Sequence, residues 1–238
     1  MDFTFSEDQE LFRESARDFL VNEVTPERIR ASWDTDTGRD DSLWAQLAEL
    51  GLTGITVPEE HGGLGMDAVD FVLLAQECGY VALPEPLVHT VLVAVPTLVD
   101  IGGELAAQWL PKIAGGDAKV MVGLDIDPLV EDAHVADLLL LQRESALVAV
   151  DPGSAELRFN ESVDPSRRLY AVTTDGGELV ADDPALLDAI LDRGALGNAA
   201  QALGLAQRMI DLSVAYTSER QQFGKPIGSF QAVKHHMA

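Results

Sequence analysis

The residues best equipped for chemistry crowd into one stretch, from Tyr216 to Val233. Arg220, Gln222 and Phe223 stand just ahead of Gly224-Lys225-Pro226-Ile227-Gly228-Ser229, and Gln231 follows. Gly224 and Gly228 permit turn geometries closed to other residues, Pro226 cannot continue a helix, and Ser229 is a good N-cap. The spacing predicts a corner between two helices, with Arg220 ending the first and Gln231 in the first turn of the second. A guanidinium, an amide and an aromatic face meeting at one corner suit a phosphate and a flat heterocycle. The same residues also allow a plainer reading, in which Arg220 offsets the negative end of its helix and Phe223 fills the core. Both readings stand on the residues alone.

Elsewhere the chemistry is thin. His235 and His236 are adjacent, so on a helix they point about 100° apart and cannot form an i, i+4 metal pair. No Gly-x-Gly-x-x-Gly follows an apolar run and no Walker sequence occurs, so the chain has no phosphate cradle of that kind. Ser154 and Ser229 lack a nucleophile-elbow context, and Asp182-Asp183 reads as a helix cap. Cys78, the single cysteine, has Gln76-Glu77 and Gly79-Tyr80 beside it and no activating base, so it reads as a small core residue. These residues yield no catalytic residue and no metal ligand set.

The formal net charge is −24, from 16 basic and 40 acidic residues. Such a field repels nucleic acid and anionic membranes. It repels a polyanionic small ligand as well, so such a ligand would need a local basic cluster or a basic partner. The start, with Asp2, Glu7 and Asp8, lacks the basic stretch and apolar run of a leader peptide, and the most apolar segment, Leu87 to Val99, is too short to span a bilayer. A soluble, cytoplasmic protein is the expectation.

Three regions must position the corner. Residues 1–116 read as a helical domain: Ser6 and Gln9 form a capping box ahead of Leu11, Phe12, Ala16, Phe19 and Leu20. Asp41 or Ser42 can cap a second helix through Leu43, Trp44 and Leu47; Asp67 opens a third through Phe71, Leu74 and Cys78; Pro86 and Gly103 bracket two more. His61-Gly62-Gly63-Leu64-Gly65 is a tight glycine loop between them. Residues 117–180 read as a small antiparallel sheet or open barrel, with apolar runs at 120–124, 136–141, 146–150, 157–159 and 169–174. From Asp183, with Pro184 in the first position, one helix reaches Arg220, about 55 Å at the usual rise. Its Gly194, Gly197, Ala200 and Gly204 would let another helix approach closely, which suits a bundle continued across a subunit interface. The chain then stops soon into the next helix, which predicts a fragment or a chain whose bundle a partner completes. The fold class is α+β, mainly α, with a truncated C-terminal helical bundle (181–238).

Several of these stretches resemble acyl-CoA dehydrogenases. They are Phe5-Ser6-Glu7-Asp8-Gln9, Val57-Pro58-Glu59-Glu60-His61-Gly62-Gly63-Leu64-Gly65, Trp109-Leu110-Pro111-Lys112-Ile113, Gly204-Leu205-Ala206-Gln207-Arg208 and Glu219-Arg220-Gln221-Gln222-Phe223-Gly224-Lys225-Pro226-Ile227. The resemblance implies α,β-dehydrogenation of an acyl-CoA thioester with FAD. It assigns Arg220, Gln222, Phe223 and Gln231 to the pyrophosphate and adenosine half of a neighbouring subunit's FAD. The family's Thr-Glu-Pro, Gly-Ser-Asp and Trp strand against the flavin ring have no counterpart; Asp125-Ile126-Asp127-Pro128 stands in their place. A catalytic glutamate is missing too, and Asp192, next to Arg193, reads as half of a solvated ion pair. The resemblance therefore implies a subunit not catalytic alone. As in heterotetramers of actinobacterial steroid and lipid catabolism, it would share FAD with a full-length homologue, with an electron-transfer flavoprotein as a further possible partner. A self-sufficient homo-oligomeric flavoenzyme and a non-enzymatic scaffold subunit are the alternatives.

Overall fold

The computed structural model describes residues 4–237. The first region is helical: α1 (Glu7–Glu23), α2 (Pro26–Trp33), α3 (Asp41–Glu49), α4 (Ala68–Val81), α5 (Leu87–His89), α6 (Val95–Ile101) and α7 (Gly103–Ala114). Ser6 and Gln9 make the expected reciprocal capping box. At α3 the cap is Asp40 and not Asp41 or Ser42: its carboxylate accepts the amides of Ser42 and Leu43 and also holds the Arg28 guanidinium. Helix α2 was not anticipated, although Thr25, capping Arg28 N–H, and Pro26 at its start form a proper opening signal. Between α5 and α6 the helix widens into a π turn over Thr90–Ala94, just ahead of Pro96, which cannot donate to the carbonyl four residues back.

The loop before α4 folds on itself: the amides of Leu64, Gly65 and Met66 donate to the carbonyls of Gly54, Val57 and Ile55. Gly62 and Gly65 lie at φ +85° and +63°, and a Cβ on Gly63 would sit 2.1 Å from the Val57 carbonyl oxygen, so this glycine run is required by the backbone.

Residues 120–182 form two sheets. One has the order β1 (Val120–Gly123), β3 (Leu138–Arg143), β4 (Ala146–Val150), β7 (Glu178–Asp182); the other runs β2 (Val130–Glu131), β6 (Leu169–Thr173), β5 (Glu156–Asn160). Every pair is antiparallel, as expected, except β1 with β3. The chain leaves β1, places β2 in the second sheet and returns to enter β3 in the original direction, and such a crossover makes the pair parallel. Alternation then sorts the side chains. Val120, Val122, Leu138, Leu140 and Leu147 face α6, α7 and the start of the last long helix, while Met121, Leu139, Val148 and Val150 face the second sheet. This explains why β1 reads as an unbroken apolar run: it is buried on both sides.

Helix α8 (Pro184–Glu219) is the single long helix expected, capped by Asp183. Several of its small residues pack within the chain. Ala200 and Gly204 bury against α4 of the same chain and Gly197 against Val88 and Leu92, whereas Gly194 has open space. At Gly204 a Cβ would lie 1.8 Å from the Gln76 carbonyl oxygen, and at Gly79 on α4 it would lie 2.1 Å from that of Gln201. The two helices thus cross backbone to backbone. No helix among the described residues is long and apolar enough to cross a membrane.

Candidate functional site

Helix α8 ends at Glu219. Arg220 leaves the helical conformation (φ −64°, ψ 118°), donates its amide to Tyr216 and accepts Ile227 N–H on its carbonyl. Two short strands follow, β8 (Gln221–Gln222) and β9 (Lys225–Pro226), joined through Phe223 and Gly224. Both of these residues have positive φ, +54° and +77°, as a tight type I′ hairpin requires. The second arm, α9 (Gln231–Met237), begins later than the sequence suggests. A 3₁₀ turn at Ile227–Ser229 and extended Phe230 intervene, and the Ser229 hydroxyl donates to the Pro226 carbonyl instead of capping a helix. Gly228 lets this turn lie on α8, since a Cβ there would be 3.0 Å from the Thr217 carbonyl oxygen.

The corner leaves Phe223 outside the core of this chain. Its ring is 90% exposed, so it is not a core residue, and it is propped edge-on against Phe230 with centroids 6.1 Å apart. Lys225 Nζ stands 4.4 Å from the Phe230 ring. Arg220, Gln222 and Gln231 are exposed on the same hairpin and helix start, and among the described residues no hydrogen bond or ion pair engages the Arg220 guanidinium. Gln231 Nε2 approaches His235 Nε2 at 3.4 Å.

The chain belongs to the acyl-CoA dehydrogenase family. Family models for the acyl-CoA dehydrogenase N-terminal and C-terminal domains match residues 6–117 and 184–238. The acyl-CoA dehydrogenase IpdE2 of Mycolicibacterium smegmatis is 34% identical over 98% of this chain and 72% of its own length. A solved structure described as the Tcur3481-Tcur3483 steroid ACAD G363A variant superposes with TM-score 0.86 at 25% identity, covering 97% of this chain and 72% of that one. The ChsE4-ChsE5 complex from Mycobacterium tuberculosis matches in fold, with TM-score 0.87 at 23% identity, over 100% of this chain and 74% of that one.

Residues 124–129 bridge β1 and β2 directly. Asp125 N–H donates to the Gln142 side chain, Asp127 Oδ1 accepts Leu129 N–H, and Ile126 is 74% exposed. Asp192 is exposed on α8, and its expected ion pair with Arg193 is not formed: Arg193 instead reaches Asp100 at 2.7 Å. Asp182 accepts the Ser145 hydroxyl and Asp183 caps α8. Among the described residues no cluster of His, Cys, Asp and Glu could hold a metal ion. Cys78 is buried, and burial pushes its thiol up to about 12, so it is no nucleophile.

One group of residues escaped the sequence reading. A cavity of about 300 Å³ opens between α4, α5 and α8, and Arg39, Glu85, His89 and Asp132 line it. Arg39 and Asp132 form a buried ion pair, and Arg39 also donates to the carbonyls of Gly38 and Ser166. Burial, opposed by Arg39, raises the Asp132 carboxyl to about 6. His89 accepts the Val122 amide on Nε2, which fixes the neutral Nδ1–H tautomer, and burial lowers it to about 4. The available signal was Leu83-Pro84-Glu85-Pro86-Leu87, an acid set between prolines in an apolar segment.

Proposed function

We propose that this chain is a subunit of an FAD-dependent acyl-CoA dehydrogenase assembly, not catalytic by itself, which lends Arg220, Gln222, Phe223 and Gln231 to the FAD site of a full-length homologue. The observation that carries this reading is the free corner. In a chain of net charge −24, residues 220–238 contain Arg220, Lys225 and Lys234 and none of the 40 acidic residues. An unpaired guanidinium beside an exposed aromatic ring fits a pyrophosphate joined to a heterocycle. Arg220 would hold the pyrophosphate, Phe223 would stack on the adenine, and Gln222 and Gln231 would offer amides to the ribose or phosphate edges.

FAD, when bound, supplies the hydride acceptor for dehydrogenation between the α and β carbons of the thioester. The ring end of FAD fits this chain poorly. Asp125 and Asp127 would set carboxylates where an electron-rich reduced flavin would lie, and no glutamate base stands on α8 near Asp192. Both features favour a partner that provides the ring pocket and the base. The ChsE4-ChsE5 complex and the Tcur3481-Tcur3483 steroid ACAD are each described by two chain names, which supports a two-component assembly. On the same reading the chain divides into a helical region to about residue 116, a β region to about 180 and the start of a helical bundle beyond.

The test is FAD titration of the deflavinated, co-purified complex. Arg220→Ala removes a charge-assisted contact of about 1.5 to 3 kcal/mol and should weaken FAD binding roughly ten- to hundredfold. Arg220→Lys should recover part of that, because it restores charge without the planar fork. Equal affinities in all three proteins would overturn the half-site reading.

A further inference from the structure

We propose that residues 34–40 form a strap that closes on the β region and opens from it while the rest of the fold stays intact. This inference is independent of the FAD corner. The strap, Asp34-Thr35-Asp36-Thr37-Gly38-Arg39-Asp40, carries no apolar side chain, so no hydrophobic burial of its own holds it down. It is a self-contained loop: Gly38 N–H donates to the Thr35 carbonyl, and the Thr35 hydroxyl donates to the Arg39 carbonyl. Both ends are fixed to the helical region, by Asp34 N–H on the Ala31 carbonyl and by Asp40, which caps α3 and holds Arg28. The segment between them can move as a unit.

Its hold on the β region is polar throughout. Arg39 pairs with Asp132, each side chain 2% exposed, and donates to the Ser166 carbonyl at 2.8 Å. His134 Nε2 donates to the Thr37 carbonyl at 2.7 Å, and the Arg168 guanidinium lies over Gly38, where it leaves no room for a Cβ. Closure leaves three buried nitrogens, Arg39 Nε, Arg168 Nε and His134 Nδ1, without a partner. Water satisfies such groups on opening, and the desolvation of a buried ion pair cancels much of its attraction. The closed strap is therefore held by a small surplus. Arg39, Asp132 and Ser166 also line the cavity between α4, α5 and α8, so opening admits solvent to one of its walls.

The surrounding charges give the opening a direction with pH. Asp132 faces Arg39 on the strap, Glu131 on β2, Lys119 on β1 and Glu85 in the turn before α5, while His134 faces Arg39, Arg168 and Lys119. Burial raises Asp132 to about 6 and Glu85 to about 7, so closure is favoured fully below their ordinary values of 3.8 and 4.5 and loses that favour as pH rises through 6 and 7. Burial lowers His134, which acts in the opposite sense. Amide hydrogen exchange at Gly38 and Arg39, corrected for the intrinsic rate, reads the opening in the full chain with any partner that co-purifies. Both amides should be at least about tenfold less protected than that of Leu47 in the α3 core, and their open fraction should rise about tenfold or more from pH 5 to 8. Asp132→Asn combined with Glu85→Gln leaves only His134 to titrate and should abolish that rise. Arg39→Met combined with Asp132→Leu sets an apolar pair in place of the ion pair and should bring the strap amides up to the protection of Leu47. Three results would overturn the proposal: strap amides as protected as Leu47 in the wild type, a rise with pH that survives Asp132→Asn with Glu85→Gln, or a strap as open in Arg39→Met with Asp132→Leu as in the wild type.

Discussion

Glu85 and Arg220 are opposite cases of a charged side chain. Arg220 is exposed and unpaired, so its value lies in what it can meet. Glu85 is sealed in, so its charge state is linked to folding. Its carboxyl titrates at about 7 in the folded chain against 4.5 ordinarily, so the folded state takes up a proton between those values. The stability that goes with the protonated form is fully present below about pH 4.5 and drains as pH rises through 7. Asp132, raised to about 6, acts in the same direction, and His89, lowered to about 4, acts against both. The diagnostic quantity is therefore the difference between wild type and Glu85→Gln. Urea unfolding at several pH values should show wild type losing about 3 kcal/mol relative to the variant between pH 4.5 and above 7. A pH-independent difference would mean that Glu85 is solvated in the folded chain.

The element that organises the molecule is α8, and glycine position decides what it does. At Gly204 the α4 backbone occupies the place of a side chain, while Gly194 faces open space. Gly204→Ala must push the helices apart and should cost about 1 to 3 kcal/mol. Gly194→Ala should be neutral or stabilise by up to about 1 kcal/mol, because only the helical preference of alanine changes. Thermal unfolding of the two variants checks the pair, and similar effects at both sites would refute the close crossing of α4 and α8. The crossing fixes one wall of the cavity lined by Glu85 and aims the far end of α8, where the Arg220 corner sits.

At the scale of the whole molecule, the far half of α8 is not covered. Met209, Leu212 and Tyr216, within about 60° of one another around the helix, are each more than half exposed. An exposed apolar stripe of this kind marks an interaction surface. The proposed assembly predicts that light scattering gives a mass well above 25.6 kDa for the purified protein, alone or with its homologue. A stable monodisperse monomer would contradict it.

Much of this was legible in the residues because its causes are local. The capping box at Ser6, the Asp183 cap, the glycine loop at 61–65 and the helix from 184 all follow from backbone preferences that each residue carries with it. The motif around Arg220 also announced the family, and a turn at Gly224 was expected, although its type I′ hairpin between two short strands was not. What depended on distant partners was not legible. The parallel pairing of β1 with β3 arises because 124–137 detours through another sheet, and Arg193 chose Asp100, far off in sequence, over its neighbour Asp192. The small residues of α8 could not say what they would meet: α4 claimed Ala200 and Gly204, Gly197 met Val88 and Leu92, and Gly194 was left in open space, because the partner of each is set by distant segments. The buried charges at Arg39, Glu85, Lys119 and Asp132 come from four separate segments, and only tertiary packing brings them together and withdraws them from water, which is what gives them their unusual chemistry.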